Sequence, residues 1–153
     1  GIYNSYELCE NRAIPETEEY QNSEKYEIRH WDWDRPGNIR DYITRINQIR
    51  RDNPALHTFT NLQFFDTDND HILFYGKMTQ DRSNILLFAV NMDPYHEQEA
   101  RLTIPLLDLG IGEHDTYHMH ELIQGLHHDV VGPEYIIRLD PNQEPAAIFV
   151  LKP

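Results

Sequence analysis

A single cysteine, Cys9, stands in 153 residues, so no internal disulfide can form and a packed core has to supply the stability. A lone thiol favours a reducing compartment, the cytosol. No catalytic partner pattern surrounds Cys9, which reads as a plain thiol. Basic residues are scarce as well: 13 Lys and Arg against 26 Asp and Glu leave a formal charge of −13. Nucleic acid or an anionic membrane face would repel such a chain, and neutral or cationic ligands suit it better. No apolar run approaches the roughly 20 residues of a membrane span. The first residues are not a basic-then-apolar export signal, and no repeat of fixed period is visible. What is present is 39% hydrophobic residues, enough for one good core and an appendage.

Ile85 to Val90 is an unbroken apolar run of strand length. A run with no polar side is the mark of a strand buried on both faces, and this one predicts the centre of an all-β domain. Leu102, Ile104 and Leu106, and later Tyr135, Ile137 and Leu139, recur with period two, which suits strands with one wet face. With turn residues as punctuation, strands are expected near 58–65, 71–79, 84–92, 99–105, 116–123, 127–131, 135–139 and 146–151, the spacing of a sandwich or barrel. Before them comes one helix. Pro36 and Gly37 break the chain, and Asn38 is a good N-cap with Asp41 three residues on. Ile39, Tyr42, Ile43, Ile46 and Ile49 recur every three or four positions, and Asn53 before Pro54 ends the pattern, which predicts a helix over 39–52. Residues 1–36 hold six of the Tyr and Trp residues with no periodic face, as a segment packed against something irregular would.

Several constellations invite chemistry. His118 and His120 share one strand face, and Gly112 precedes His118 by six residues, as in a cupin metal motif. The glutamate that motif needs is replaced by Gln124 or Gly125, so exposed, metal-free histidines are expected. Asp66, Asp68 and Asp70 open like a calcium loop, but His71 and Lys77 occupy its glycine and glutamate positions, which leaves an acidic hairpin loop. Trp31 and Trp33 suit either a sugar-stacking platform or interdomain packing. In Glu18–Arg29, Ser23, Lys25 and Tyr26 offer donors to sugar hydroxyls, although a solvated charged helix fits the same residues.

Three stretches, GIYNSYELCEN at 1–11, EEYQNSEKYEIRHWDWDRPGNI at 18–39 and RINQIRRDNPAL at 45–56, carry a resemblance in order and spacing. They look like the end of the bacterial alpha-1,4-glucan:maltose-1-phosphate maltosyltransferases, alpha-amylase-like enzymes of glycoside hydrolase family 13. NDHILFYGK at 69–77 and LLFAVNMDPYHEQEA at 86–100 continue the likeness less specifically. The resemblance implies a mainly β fold: an antiparallel C-terminal β-sandwich at 56–153, preceded at 1–55 by an irregular and helical segment from the end of a (β/α)8 barrel. It implies a parent enzyme that transfers maltosyl units from maltose 1-phosphate to α-1,4-glucan with retention, as a cytoplasmic homodimer in glucan biosynthesis, without metal or organic cofactor. Retention needs two carboxyls about 5 Å apart. By the resemblance these lie upstream of Gly1, so no catalytic residue is expected in this chain. Matched residue by residue, Lys25 and Tyr26 fall in the family's substrate-binding loop. Two other classes stay open on the residues alone, a stand-alone carbohydrate-binding module and a cupin-like metal enzyme.

Overall fold

The run from Ile85 to Val90 is paired along both edges and covered on both faces. In the computed structural model, which describes residues 5–21, 28 and 30–152, a helix α1 (Arg40–Asp52) precedes strands β1 (Leu62–Phe64), β2 (Ile72–Met78), β3 (Ile85–Asn91) and β4 (Gln98–Thr103). A helical turn α2 (Leu106–Leu109) then leads to β5 (Thr116–Glu121), β6 (His127–Val131), β7 (Glu134–Leu139) and β8 (Ala146–Lys152). Six strands make one sheet in the order β1-β2-β3-β8-β5-β6, and β4 and β7 make a second. Every pairing between these strands is antiparallel. No helix among the described residues is long and apolar enough to cross a membrane.

Period-two patterning explains the two layers. Phe74, Leu87, Met119 and Phe149 from the large sheet form a buried cluster with Ala100, Leu102, Ile137 and Leu139 from the small one. The opposite face of β4 and β7 is wet and laced by cross-strand ion pairs, Arg101 with Glu134 and Arg138 with Glu99. β3 differs because its second face is also covered. Leu86 and Phe88 are 0% and 7% exposed, and Phe88 stacks on Tyr75 of β2 at 4.7 Å and 5°.

Two boundaries depart from the pattern. The alternation Leu102, Ile104, Leu106 does not continue as a strand, because Pro105 has no N–H to give a ladder. The chain instead turns into α2, which Gly110 closes at φ 79°, donating its N–H to the carbonyls of Leu106 and Leu107. Leu106 still reaches the core, at 3% exposure, but from a helical turn. The first strand is also shorter than 58–65. Pro54–His57 forms a 3-10 turn, and the Lys77 ammonium donates to the Thr58 carbonyl at 2.5 Å, so pairing starts only at Leu62.

The chain divides into two compact units, Gly1–Asn47 and Gln48–Pro153. In the first, the described residues are organised by single bonds. Tyr6–Leu8 is a 3-10 turn, Ala13 and Tyr20 bridge, the Ile39 N–H donates to Glu7, and Arg35 pairs with Glu10. The Asn38 Oδ1 accepts the Arg40 N–H at 3.2 Å, which caps α1. Of its isoleucine stripe, Ile39, Ile43 and Ile46 are half-buried and Ile49 is buried. In the second unit, Asn53 ends α1 by donating to the Ile49 carbonyl at 2.8 Å and accepting from Asn84 at 3.0 Å. The Asn84 Oδ1 in turn accepts the Ala55 N–H at 3.0 Å, so side-chain amides fasten the residues after the helix to the turn between β2 and β3.

Candidate functional site

Lys25 and Tyr26, with Ser23 and Glu24, lie outside the described residues. The chain on their flanks is tied together. The Gln21 N–H donates to the Arg12 carbonyl at 2.6 Å, and the Arg35 guanidinium meets the Glu10 carboxylate. Trp31 is half-buried and Trp33 is 41% exposed, its carbonyl accepting from Arg40 at 2.6 Å.

The histidines of β5 are spoken for by neighbours on the same sheet. His118 faces Asp129 across the β5–β6 pair, Nδ1 to Oδ1 at 2.6 Å. His120 faces His127, with the rings stacked at 4.0 Å and 10°. Parallel imidazoles do not aim their lone pairs at one point, and metal ligation needs exactly such convergence. Among the described residues no group of three or more His, Cys, Asp or Glu is placed to hold a metal. Gly112, the would-be start of the cupin motif, sits in a turn where its N–H donates to the Asp115 carboxylate at 3.1 Å. The acidic loop between β1 and β2 is a stitch to β4: the Asp68 Oδ1 accepts the Arg101 N–H at 2.7 Å, and the Asn69 amide donates to Gln98 and Glu99.

Other polar groups are structural. Glu121 is 3% exposed, and its carboxylate accepts the N–H groups of Ile123, Gln124 and Ile148 at 2.9, 2.6 and 3.2 Å. Burial pushes the Tyr117 phenol up to about 12, and its hydroxyl donates to the Gly132 carbonyl at 2.9 Å. Burial, with the nearby Glu121 charge, also raises Tyr135. A residue that sequence reasoning missed is Asp93, in the loop between β3 and β4. Its carboxylate accepts from the N–H groups of Tyr95 and His96 and from the side chains of His96 and Gln98. These donors hold its pKa at about 2. The signal was present as Asn-x-Asp-Pro, a turn-forming sequence directly after an apolar strand.

Two antiparallel sheets enclosing one core, joined by loops that are themselves hydrogen-bonded, define a β-sandwich. The α-amylase of Geobacillus thermoleovorans complexed with acarbose superposes with a TM-score of 0.59 at 16% identity, over 80% of this chain and 25% of that one. An Anoxybacillus α-amylase does so with a TM-score of 0.51 at 22% identity, over 74% of this chain and 22% of that one. Within that class the chain belongs to the family described as GLGE, C-terminal, whose model matches residues 64–151. Similar curated proteins carry the name alpha-1,4-glucan:maltose-1-phosphate maltosyltransferase. The one from Myxococcus xanthus is 50% identical over 99% of this chain and 23% of its own length. The one from Rhodospirillum rubrum is 48% identical over 100% of this chain and 22% of its own. The chain therefore spans under a quarter of the length of these relatives.

Proposed function

We propose that this chain is part of a maltosyltransferase that moves maltosyl units from maltose 1-phosphate to the non-reducing ends of α-1,4-glucan with retention. The observation that carries this reading is the extent of the identity. It runs over 99% and 100% of the chain in two relatives of that name, so it takes in the first 56 residues as well as the sandwich. On this reading residues 1–55 are the last loop and last helix of a catalytic (β/α)8 barrel, and 56–153 are the sandwich that follows it. The nucleophile and acid/base carboxylates belong to the barrel's other strands. Lys25 and Tyr26 sit on the barrel rim and donate to hydroxyls of the donor maltosyl unit. The enzyme works as a cytoplasmic homodimer in glucan synthesis, with no metal or organic cofactor. An exposed free thiol at Cys9 fits a reducing compartment, and a charge of −13 disfavours nucleic acid as a partner.

Phosphate release from maltose 1-phosphate in the presence of a maltooligosaccharide is the test. The 153-residue chain is expected to be silent, because a retaining mechanism cannot run without its carboxyl pair. The full-length protein is expected to turn over. There, Lys25→Ala removes charge-assisted hydrogen bonds to the sugar and should lower kcat/KM about ten- to hundredfold with little change in melting temperature. A full-length protein that releases no phosphate overturns the activity, and unchanged kinetics for Lys25→Ala overturns the assignment of that residue.

A further inference from the structure

The loop between β3 and β4 crosses from one sheet to the other, which gives it a reason to be rigid. Asn91, 8% exposed, anchors it: Nδ2 donates to the Leu139 carbonyl of β7 at 3.0 Å and to the His96 carbonyl at 2.9 Å, and Oδ1 accepts the Asp93 N–H at 2.8 Å. Asp93 fills the middle. Its Oδ1 accepts the Tyr95 and His96 N–H groups at 2.8 and 3.3 Å, and its Oδ2 accepts from His96 Nδ1 at 2.9 Å and Gln98 Nε2 at 3.0 Å. The Met92 N–H donates to the His71 carbonyl at 2.8 Å. The fold accounts for these bonds. It does not account for what the locked loop displays, Tyr95 at 80% exposure and Met92 at 60%.

An aromatic ring held in water on an already ordered backbone binds a flat apolar face at small further entropic cost, since the loop's freedom was lost on folding. The His96 imidazole lies edge-on to the ring, 6.4 Å between centroids. The Asp93 carboxylate is ionised at neutral pH and can only accept, so His96 donates through Nδ1, and in the neutral imidazole Nε2 is an acceptor. The His96 side chain is 75% exposed. Two residues beyond Tyr95, Glu97 pairs with Arg138 at 3.6 Å, their side chains 51% and 63% exposed. One ring and one methionine are far too little for a stable protein interface of roughly 800 Å² per partner. The charge of −13 disfavours polyanions. One aromatic face beside one imidazole acceptor is the size and chemistry of one or two pyranose rings.

We propose that Tyr95, beside His96 on the Asp93-locked loop, is a surface stacking site for a neutral α-1,4-linked glucan. The choice of sugar rests on the maltosyltransferase reading.

Affinity electrophoresis of the 153-residue chain through gels containing glycogen, with dextran gels as the control, tests the site. The unaltered chain should be retarded by glycogen and not by dextran. Tyr95→Ala should weaken retardation by about fivefold or more, with an unchanged melting temperature because the side chain is exposed. Tyr95→Phe should retain it, since stacking needs the ring and not the hydroxyl. Equal retardation of the unaltered chain and Tyr95→Ala, no retardation of either, or loss in Tyr95→Phe overturns the proposal. Maltosyl transfer by the full-length protein to a short maltooligosaccharide is a separate readout that Tyr95→Ala should leave intact. Transfer without glycogen retardation therefore removes only the Tyr95 site, and retardation without transfer removes only the maltosyltransferase reading.

Discussion

Residues 48–153 bury Phe74, Leu87, Leu102, Tyr117, Met119 and Phe149 in one continuous cluster, whereas among the described residues of 1–47 only Ser5 and Leu8 are buried. The first region is ordered by turns, a bridge, ion pairs and the first turns of α1, the second by apolar surface removed from water. The forces differ in strength and in what disturbs them. Burial of large side chains contributes kilocalories per residue and is insensitive to salt, while half-exposed ion pairs contribute little and are screened. Apolar stabilisation is thus concentrated in residues 48–153.

The sharpest way to break this contrast is to cut into the core. Phe74 is 2% exposed and packs on Phe65 with the rings tilted by 56° and 5.5 Å between centroids. Phe74→Ala should cost about 3–5 kcal/mol in urea unfolding of this chain. A loss near that of a surface change would mean that the sandwich is not the source of stability.

An intermediate effect is expected in acid. The Asp93 carboxyl, held at about 2 by the N–H groups of Tyr95 and His96, and that of Asp81, held at about 2 by its hydrogen bonds to Thr79 and Ser83, lie below the ordinary carboxylate range in the folded chain. A depressed folded pKa means that the unfolded state binds protons first as pH falls. Their contribution is complete above about pH 4 and is lost between about pH 4 and 2. Melting temperatures recorded from pH 5 to 2 should fall through that window, and Asp93→Asn should flatten the fall. A flat profile for the unaltered chain would show that the loop bonds do not stabilise the fold.

The smallest effect belongs to the first region. Glu10→Gln removes the ion pair with Arg35, whose side chains are 32% and 36% exposed. It should change the sandwich's unfolding free energy by no more than about 1 kcal/mol. A shift as large as that of Phe74→Ala would erase the distinction between the two regions.

Much of this architecture was legible from periodicity. The helix and the strands occur near the expected ranges, α1 from its three-to-four repeat, β3 from its unbroken apolar run, and β4 and β7 from period-two repeats, because those patterns are the geometry of a buried helix stripe, a doubly covered strand and one buried sheet face. Pattern failed at Leu106, where alternation persists through Pro105 although the backbone turns into α2, since periodicity reports which side chains are buried and not which backbone carries them. The site was less legible. The chemistry of Lys25 and Tyr26 suits sugar hydroxyls and a solvated charged helix equally, and family resemblance is what favours the substrate-binding loop.

By itself, the sequence determined which side chains leave water, hence a mainly β chain with a doubly covered β3 and one amphipathic helix. Tertiary structure decided the pairings. His118 with Asp129, His120 with His127, and Asn91 with Leu139 of β7 are separated by 11, 7 and 48 positions, and no local rule links them. Strand order and register bring such groups together, so whether a histidine is a metal ligand, an ion-pair partner or one of a stacked pair is settled only once the sheet has closed.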